Sequence, residues 1–332
     1  MPITRRRTMA MLAAALLTAC AATIANASPN NFPVKPIRLV VPYAAGGGTD
    51  ILARQIAKQA GDYMGQPIIV DNKPGAGTVL GASEVAKATP DGYTLLWGDS
   101  ATFALNPHVY KKLPYDPLKS FAPVTLTMRG SLVMVASSKL NVKNVAELIA
   151  YASKNPHKLS YGTAGNGTPH HLAMESFKLR AGGIDIQHVP YKGEAPAMQD
   201  LLSGSFDVMF AGARVVKAQV DSGKINILAV AGGRRNSAMP EVPTVAEAGL
   251  KDYASEYWHG VVAPAGTPAP VVEKLNAAFN NALKSPEMVA WMNNAGSGGE
   301  WTGSTPAEMA AHIQRETKAY GEIVKKIGLS LD

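Results

Sequence analysis

The run IRLVVPYAAGGGTD at residues 37–50 constrains this chain more than any other stretch. An apolar strand ends in three consecutive glycines and passes directly into a helix. The same order of strand, glycine turn and helix recurs at 67–88 and at 158–179. Such alternation argues for α/β architecture with largely parallel sheets. The turns also carry chemistry. The first N–H groups of a helix lack intrahelical acceptors, and the helix dipole is positive there, so a helix start attracts anions. Glycine lets the chain turn sharply and lets a ligand approach the main chain. Three such turns predict a cleft for an anion, with a carboxylate the best fit.

The chain carries an export signal. Arg5, Arg6 and Arg7 form a positive start, residues 9–17 are apolar, and Ala25-Asn26-Ala27 offers a small-residue cleavage site, so 1–27 reads as a signal peptide. Two processing routes fit. Cleavage after Ala27 gives a soluble periplasmic protein. Leu17-Thr18-Ala19-Cys20 also resembles a lipobox, which would leave the protein anchored through Cys20. Cys20 is the only cysteine, so cleavage after Ala27 leaves no disulfide, thiol nucleophile or thiolate metal site. Removing the three arginines lowers the formal charge from +7 to +4, too little and too scattered for a nucleic-acid partner. The remaining length, about 305 residues, exceeds one usual core and predicts two lobes.

Strands are predicted at 37–41, 68–70, 94–97, 132–136, 160–162, 186–188, 208–211, 225–230 and 260–263. Their mostly unbroken apolar character suits strands covered on both faces. Helices are predicted at 50–64, 78–88, 145–155, 169–181, 195–203, 215–222, 268–284, 286–295 and 306–327, several with proline in the first turn. In the first helix Leu52, Ile56, Ala60 and Tyr63 recur at helical spacing as a buried face, with Thr49 or Asp50 as N-cap.

Taken in order, the motifs form a wider pattern. They are PIRLVVPYAAGGGTD at 36–50, DNKPGAGTVLG at 71–81, PDGYTLL at 90–96 and LPYDP at 113–117. YGTAGNGT at 161–168 with His171, VPYKG at 189–193, PAMQDLL at 196–202, PEVPT at 240–244 and APAGTP at 263–268 follow. Together they resemble the Bug family, the extracytoplasmic solute receptors of tripartite tricarboxylate transporters, over essentially the whole mature chain. The resemblance implies a two-lobed periplasmic binding protein (type II-like), each lobe a mixed, largely parallel sheet flanked by helices. It implies lobe 1 at 32–130 plus 258–332 and lobe 2 at 131–257, with crossings near 130–137 and 257–263. It further implies a monomer that takes a small organic acid, uses no cofactor or metal, and passes its ligand to membrane permease subunits. A sensor kinase is the alternative partner.

Carried over by position, the implied lobe 1 contacts are Tyr43, Ala44, Gly47, Gly48, Thr49, Asp50, Gly75, Ala76, Gly77, Thr78, Ser100 and Thr102. Those of lobe 2 are Gly165, Asn166, Gly167, Thr168, His171, Tyr191, Lys192, Gly193 and Asp207. Three departures stand out: Ala45 where many members have proline, Asp71 where many have glutamate, and Ser203 where glycine is common.

Other readings of the same residues are open. Each glycine loop also reads as a plain tight turn, Asp207 as a local backbone cap, and Lys192 as a solvated lysine. His170, His171 and Glu175 are too few for a metal site. GAGTVLG at 75–81 matches a dinucleotide loop, the main enzymatic rival. It follows Pro74, however, and the chain shows no Gly-x-Ser-x-Gly elbow and no Walker loop. Of the four tryptophans, Trp97 ends a strand near the expected cleft, where an aromatic side chain would favour a ring-bearing carboxylate.

Overall fold

The computed structural model describes residues 31–295 and 299–331; the expected signal segment 1–27, with Cys20, lies outside them. Ten strands join in one mixed sheet, ordered β2-β1-β3-β9-β4-β7-β5-β6, with β8 and β10 also paired to β4. The strands of the first half are β1 (Ile37–Val41), β2 (Ile68–Asn72) and β3 (Thr94–Asp99). The long β4 (Phe121–Ser137) leads to β5 (Ser160–Thr163), β6 (Gln187–Pro190), β7 (Val208–Gly212) and β8 (Ile225–Val230). The chain returns through β9 (Glu256–Pro264) and β10 (Glu300–Trp301). β1 pairs in parallel with β2 and β3, and β5 pairs in parallel with β6 and β7.

Strands β4 and β9 organise the whole. From Phe121 to Ser131, β4 pairs antiparallel with β9. From Leu132 to Ser137 it leaves β9 and pairs with β7 and β8. The chain comes back at Ser255, whose amide donates to Ala231, while the Ala231 amide donates to Leu132. One continuous strand thus belongs to two sheet halves. Only its apolar part, 132–136, was predicted. The rest was missed because Thr125, Thr127 and Arg129 alternate with Val124, Leu126 and Met128 and break up the apolar run.

The period-two geometry of each strand feeds two cores, one per face. Leu39 and Val41 join Trp97, Ile56, Leu275 and Phe279 on one side, while Val40 meets Leu96, Phe103, Trp258 and Ile313 on the other. In the second half Met134 packs with Phe177, Phe210 and Tyr253, and Val133 and Val135 pack with Leu201 and Met209. Covering both faces explains the unbroken apolar strands.

The helices are α1 (Gly48–Met64), α2 (Val79–Ala86), α3 (Asn106–Val109), α4 (Val145–Lys154), α5 (Pro169–Arg180) and α6 (Glu194–Ser203). They continue as α7 (Ala213–Lys217), α8 (Ala269–Lys284), α9 (Pro286–Ala295) and α10 (Pro306–Ile327). In α1 the buried arc centres on Ala53, Ala57 and Ala60, and Tyr63, expected inside, lies at its edge and is 58% exposed. Gly65 closes α1 in the left-handed region, its amide donating to the Gly61 carbonyl. A single π turn (Ala101–Leu105) joins β3 to α3 and was not predicted. No described helix is long and apolar enough to cross a membrane.

Candidate functional site

The N-terminus of α1 faces the N-terminus of α6 across the two sheet halves. Gly47, not the expected Thr49 or Asp50, is the N-cap of α1, because the helix starts at Gly48; it supplies no side chain, so the first amides must find acceptors elsewhere. Glu194, the first residue of α6, provides one. Its Oε2 accepts from the Gly48 amide at 3.0 Å, and its Oε1 accepts from the Gly212 amide at the end of β7. His170 Nε2 lies 3.9 Å from the same carboxylate. Burial pushes the Glu194 carboxyl up, but His170 and the Gly212 and Gly48 amides outweigh it and hold the group below its ordinary value. Glu194 is therefore an ionised carboxylate, 7% exposed, seated at a helix start.

A cavity of about 30 Å³ opens beside it, lined by Tyr43, Thr49, Asp99, Glu194, Arg214, Tyr257, His259 and their neighbours. Asp99 ends β3 and is buried. Its Oδ2 accepts from the Tyr43 hydroxyl at 2.5 Å, and its Oδ1 accepts from the Thr102 amide and hydroxyl, each at 3.0 Å. Burial, with Asp99 alongside, raises the Tyr43 hydroxyl well above its ordinary value, so it stays a donor. Burial lowers His259 to about 4, leaving a neutral ring. His259 Nε2 lies 3.3 Å from Thr49 Oγ1, and its Nδ1 has no hydrogen-bond partner. Thr49 and His259 thus sit like a nucleophile and a base. Among the described residues no third group orients the ring, since its Nδ1 has no partner and Asp99 is engaged by Tyr43 and Thr102, and a histidine with so low a pKa is a weak base. Among the described residues Arg214 is the one guanidinium lining the cavity. It stacks over Trp291 at 4.7 Å and forms no ion pair among the described residues.

A second cavity, of about 160 Å³, lies between the 75–78 loop and the loops after β5 and β6. It is lined by Pro42, Gly75, Ala76, Gly77, Thr78, Gly165, Asn166, Tyr191 and Lys192, among others. The loops touch directly. The Ala44 amide donates to the Lys192 carbonyl at 3.1 Å, and a Cβ on Gly193 would stand 3.0 Å from Ala44. A Cβ on Gly77 would overlap the Asn166 carbonyl oxygen.

The expected contact residues therefore divide. Tyr43, Gly48 and Thr49 reach the first cavity, while Gly75, Ala76, Gly77, Thr78, Gly165, Asn166, Tyr191 and Lys192 reach the second. Thr102 stands behind Asp99, 3.0 Å from Thr78 Oγ1, and Ser100 is fully buried beside it. Asp50 closes the glycine turn, accepting from Gly46, Arg54 and Asn72. Thr168 donates to the Gly165 carbonyl at 2.7 Å, and His171 Nδ1 accepts from the Gly167 amide at 3.2 Å. His171 stacks on His188 at 4.1 Å, and burial lowers it to about 4. Asp207 lies at the start of β7, the strand end away from these loops, and accepts from the Ser160 amide and hydroxyl. Among the described residues no three metal-ligating side chains converge.

Asp99, Glu194, Arg214, Tyr257 and His259 were missed. Two of them left a signal: Asp99 is a charge at the end of an apolar strand, and His259 a polar residue inside one.

Comparison with known proteins follows the same architecture. The family model described as "Tripartite tricarboxylate transporter family receptor" matches residues 52–329. The BugT protein of Bordetella pertussis is 33% identical over 317 residues, 95% of this chain and 96% of that protein. The solved structure of R. palustris Rpa4515 with adipate is 35% identical, with a TM-score of 0.86, covering 90% of this chain and 99% of that one. MatC from Rhodopseudomonas palustris with bound malate is 32% identical, with a TM-score of 0.83, covering 88% and 100%. A family match across most of the length, and relatives aligned almost end to end, show that this chain belongs to the Bug family of tripartite tricarboxylate transporter receptors.

Proposed function

We propose that the chain is a periplasmic receptor that closes two lobes on a small organic carboxylate and delivers it to the permease subunits of a tripartite tricarboxylate transporter. The observation that carries this reading is the pair of cavities between loops of the two sheet halves, at a helix start and at glycine turns. The adipate- and malate-bound relatives support the ligand class. We place the lobe boundaries at 130/131 and 257/258, beside the point where β4 changes partners. A ligand held from both sides stabilises the closed form through contacts that the open form lacks. Gly75, Gly77, Thr78, Gly165 and Asn166 supply the jaws, and Arg214 supplies positive charge.

The size of the first cavity limits what enters without movement. A water needs roughly 10–15 Å³ by the same measure, so about 30 Å³ holds only a few heavy atoms. The ligand therefore enters a more open cleft. Calorimetric titration of the mature chain with mono-, di- and tricarboxylates is expected to give saturable binding to at least one. Absence of binding across the series would remove the reading. Loss of uptake on deleting either the receptor or its permease would establish the transport role. Fractionation of wild type and Cys20→Ser would separate a free periplasmic protein from an anchored one.

A further inference from the structure

The acceptor groups around the first cavity carry a more specific conclusion, which rests on the receptor reading. Glu194 already occupies the place where the helix start would hold a ligand carboxylate, because it takes the Gly48 amide. Asp99 lines the same cavity and is 2% exposed. His259, also 2% exposed, lines it too, and its Nδ1 is without a hydrogen-bond partner. In the tautomer that donates from Nε2 to Thr49, that nitrogen offers a lone pair. Glu194 thus offers a carboxylate and His259 an unpartnered ring nitrogen to one small space, while Asp99, already accepting from Tyr43 and Thr102, adds its carboxyl group behind them. Among the described residues Arg214 is the only side chain with a permanent positive charge that lines it.

An added dicarboxylate would bring two negative charges to a cavity that already holds two carboxylates, one guanidinium and the His170 ring, which is already turned to Glu194. A protonated amine has the opposite requirement: three N–H donors, no acceptor, and a positive charge that two buried carboxylates stabilise. We propose that this cavity, enlarged when the cleft opens, takes a small zwitterion, a carboxylate bearing a protonated amine, with the ammonium facing Glu194 and His259 and the carboxylate facing Arg214. Glu194 then discriminates in two ways. It attracts the amine, and it excludes a second carboxylate from the start of α1.

Matched ligand pairs test this by calorimetry on the mature chain: aspartate against succinate, and 2-aminoadipate against adipate. In whichever pair binds, the amine-bearing member is expected to bind at least tenfold more tightly. Glu194→Gln, which keeps the shape and an acceptor oxygen, should reduce that preference at least tenfold. Equal or tighter binding of succinate or adipate by the wild type overturns the inference and leaves the receptor reading standing. An unchanged preference in a folded Glu194→Gln variant overturns the role of Glu194, and with it the inference. If that variant does not fold, the wild-type comparison decides alone. No binding by any of the four acids removes the inference, and no binding by any carboxylate removes the receptor reading as well.

Discussion

At the scale of single residues, Gly77 shows how closely the two jaws meet. Its φ of 55° lies in the left-handed region, and any Cβ there would run into the Asn166 carbonyl across the cleft. Gly77→Val should therefore block full closure. Affinity for a bound carboxylate is expected to fall by tenfold or more, and small-angle scattering should show no contraction when ligand is added. A variant that binds and contracts like the wild type would sink the role assigned to this loop. The glycine loops were legible because a run such as GGG or GAG leaves few structural options. Asp99 and His259 left only the signal of a polar residue in an apolar strand, and Glu194 left none, because its role comes from a distant partner. Glu194 meets Gly48 from 146 positions away, and a glutamate in the first turn of a helix otherwise reads as a favourable dipole partner. Lys192 and Asp207 show the reverse case, in which a motif position alone did not fix what the side chain faces. Lys192 does line a cavity, while Asp207 serves the backbone at the start of β5.

Among the elements, α10 has the most complete local specification. Thr305 accepts from the Glu308 amide at 3.2 Å, Glu308 accepts from the Thr305 amide at 2.8 Å, and Pro306 opens the helix. Thr305→Ala should cost about 1 kcal/mol by removing the cap, read as a lower midpoint in urea with an unchanged slope. Thr305→Ser should recover most of it. A full-stability alanine variant would mean that packing of Met309 and Ile313 alone holds this helix. Elements α5 and α8, which also carry proline in the first turn, were readable from residue order, and α1 from its apolar spacing after the glycine turn, although Gly47 rather than Thr49 or Asp50 is its N-cap. Element β4 was only half readable. Its first part alternates polar and apolar residues, its second part is continuously apolar, and nothing local says that one strand serves two sheet halves. The π turn at Ala101–Leu105 had no sequence signal, since it depends on how Phe103 packs against Phe121 and Trp258.

Across the whole molecule, buried neutral histidines set the response to acid. Burial lowers His171 and His259 to about 4, against an ordinary value of 6.5. In the unfolded chain both regain that ordinary value, so unfolding takes up protons below it. A group whose folded pKa is depressed leaves stability intact above its unfolded value and withdraws it as pH falls. The window for these two rings thus opens near 6.5 and closes near 4. At full extent each withdraws on the order of 3 kcal/mol, at about 1.4 kcal/mol per pKa unit. Glu194 and Asp50 act at lower pH. Their carboxyls are held below the ordinary values of 4.5 and 3.8, so their support persists above those values and is lost as pH falls through the folded ones. The melting temperature should be flat above about pH 7 and fall steadily from pH 6.5 to 4. It should then fall again in stronger acid. His259→Gln should make the first fall shallower without moving the second, because glutamine fills similar space and does not titrate. Glu194→Gln should act on the second alone. A melting temperature constant down to pH 5 would mean that the rings are hydrated in solution, and the closed contact between the lobes would then be the first feature to doubt.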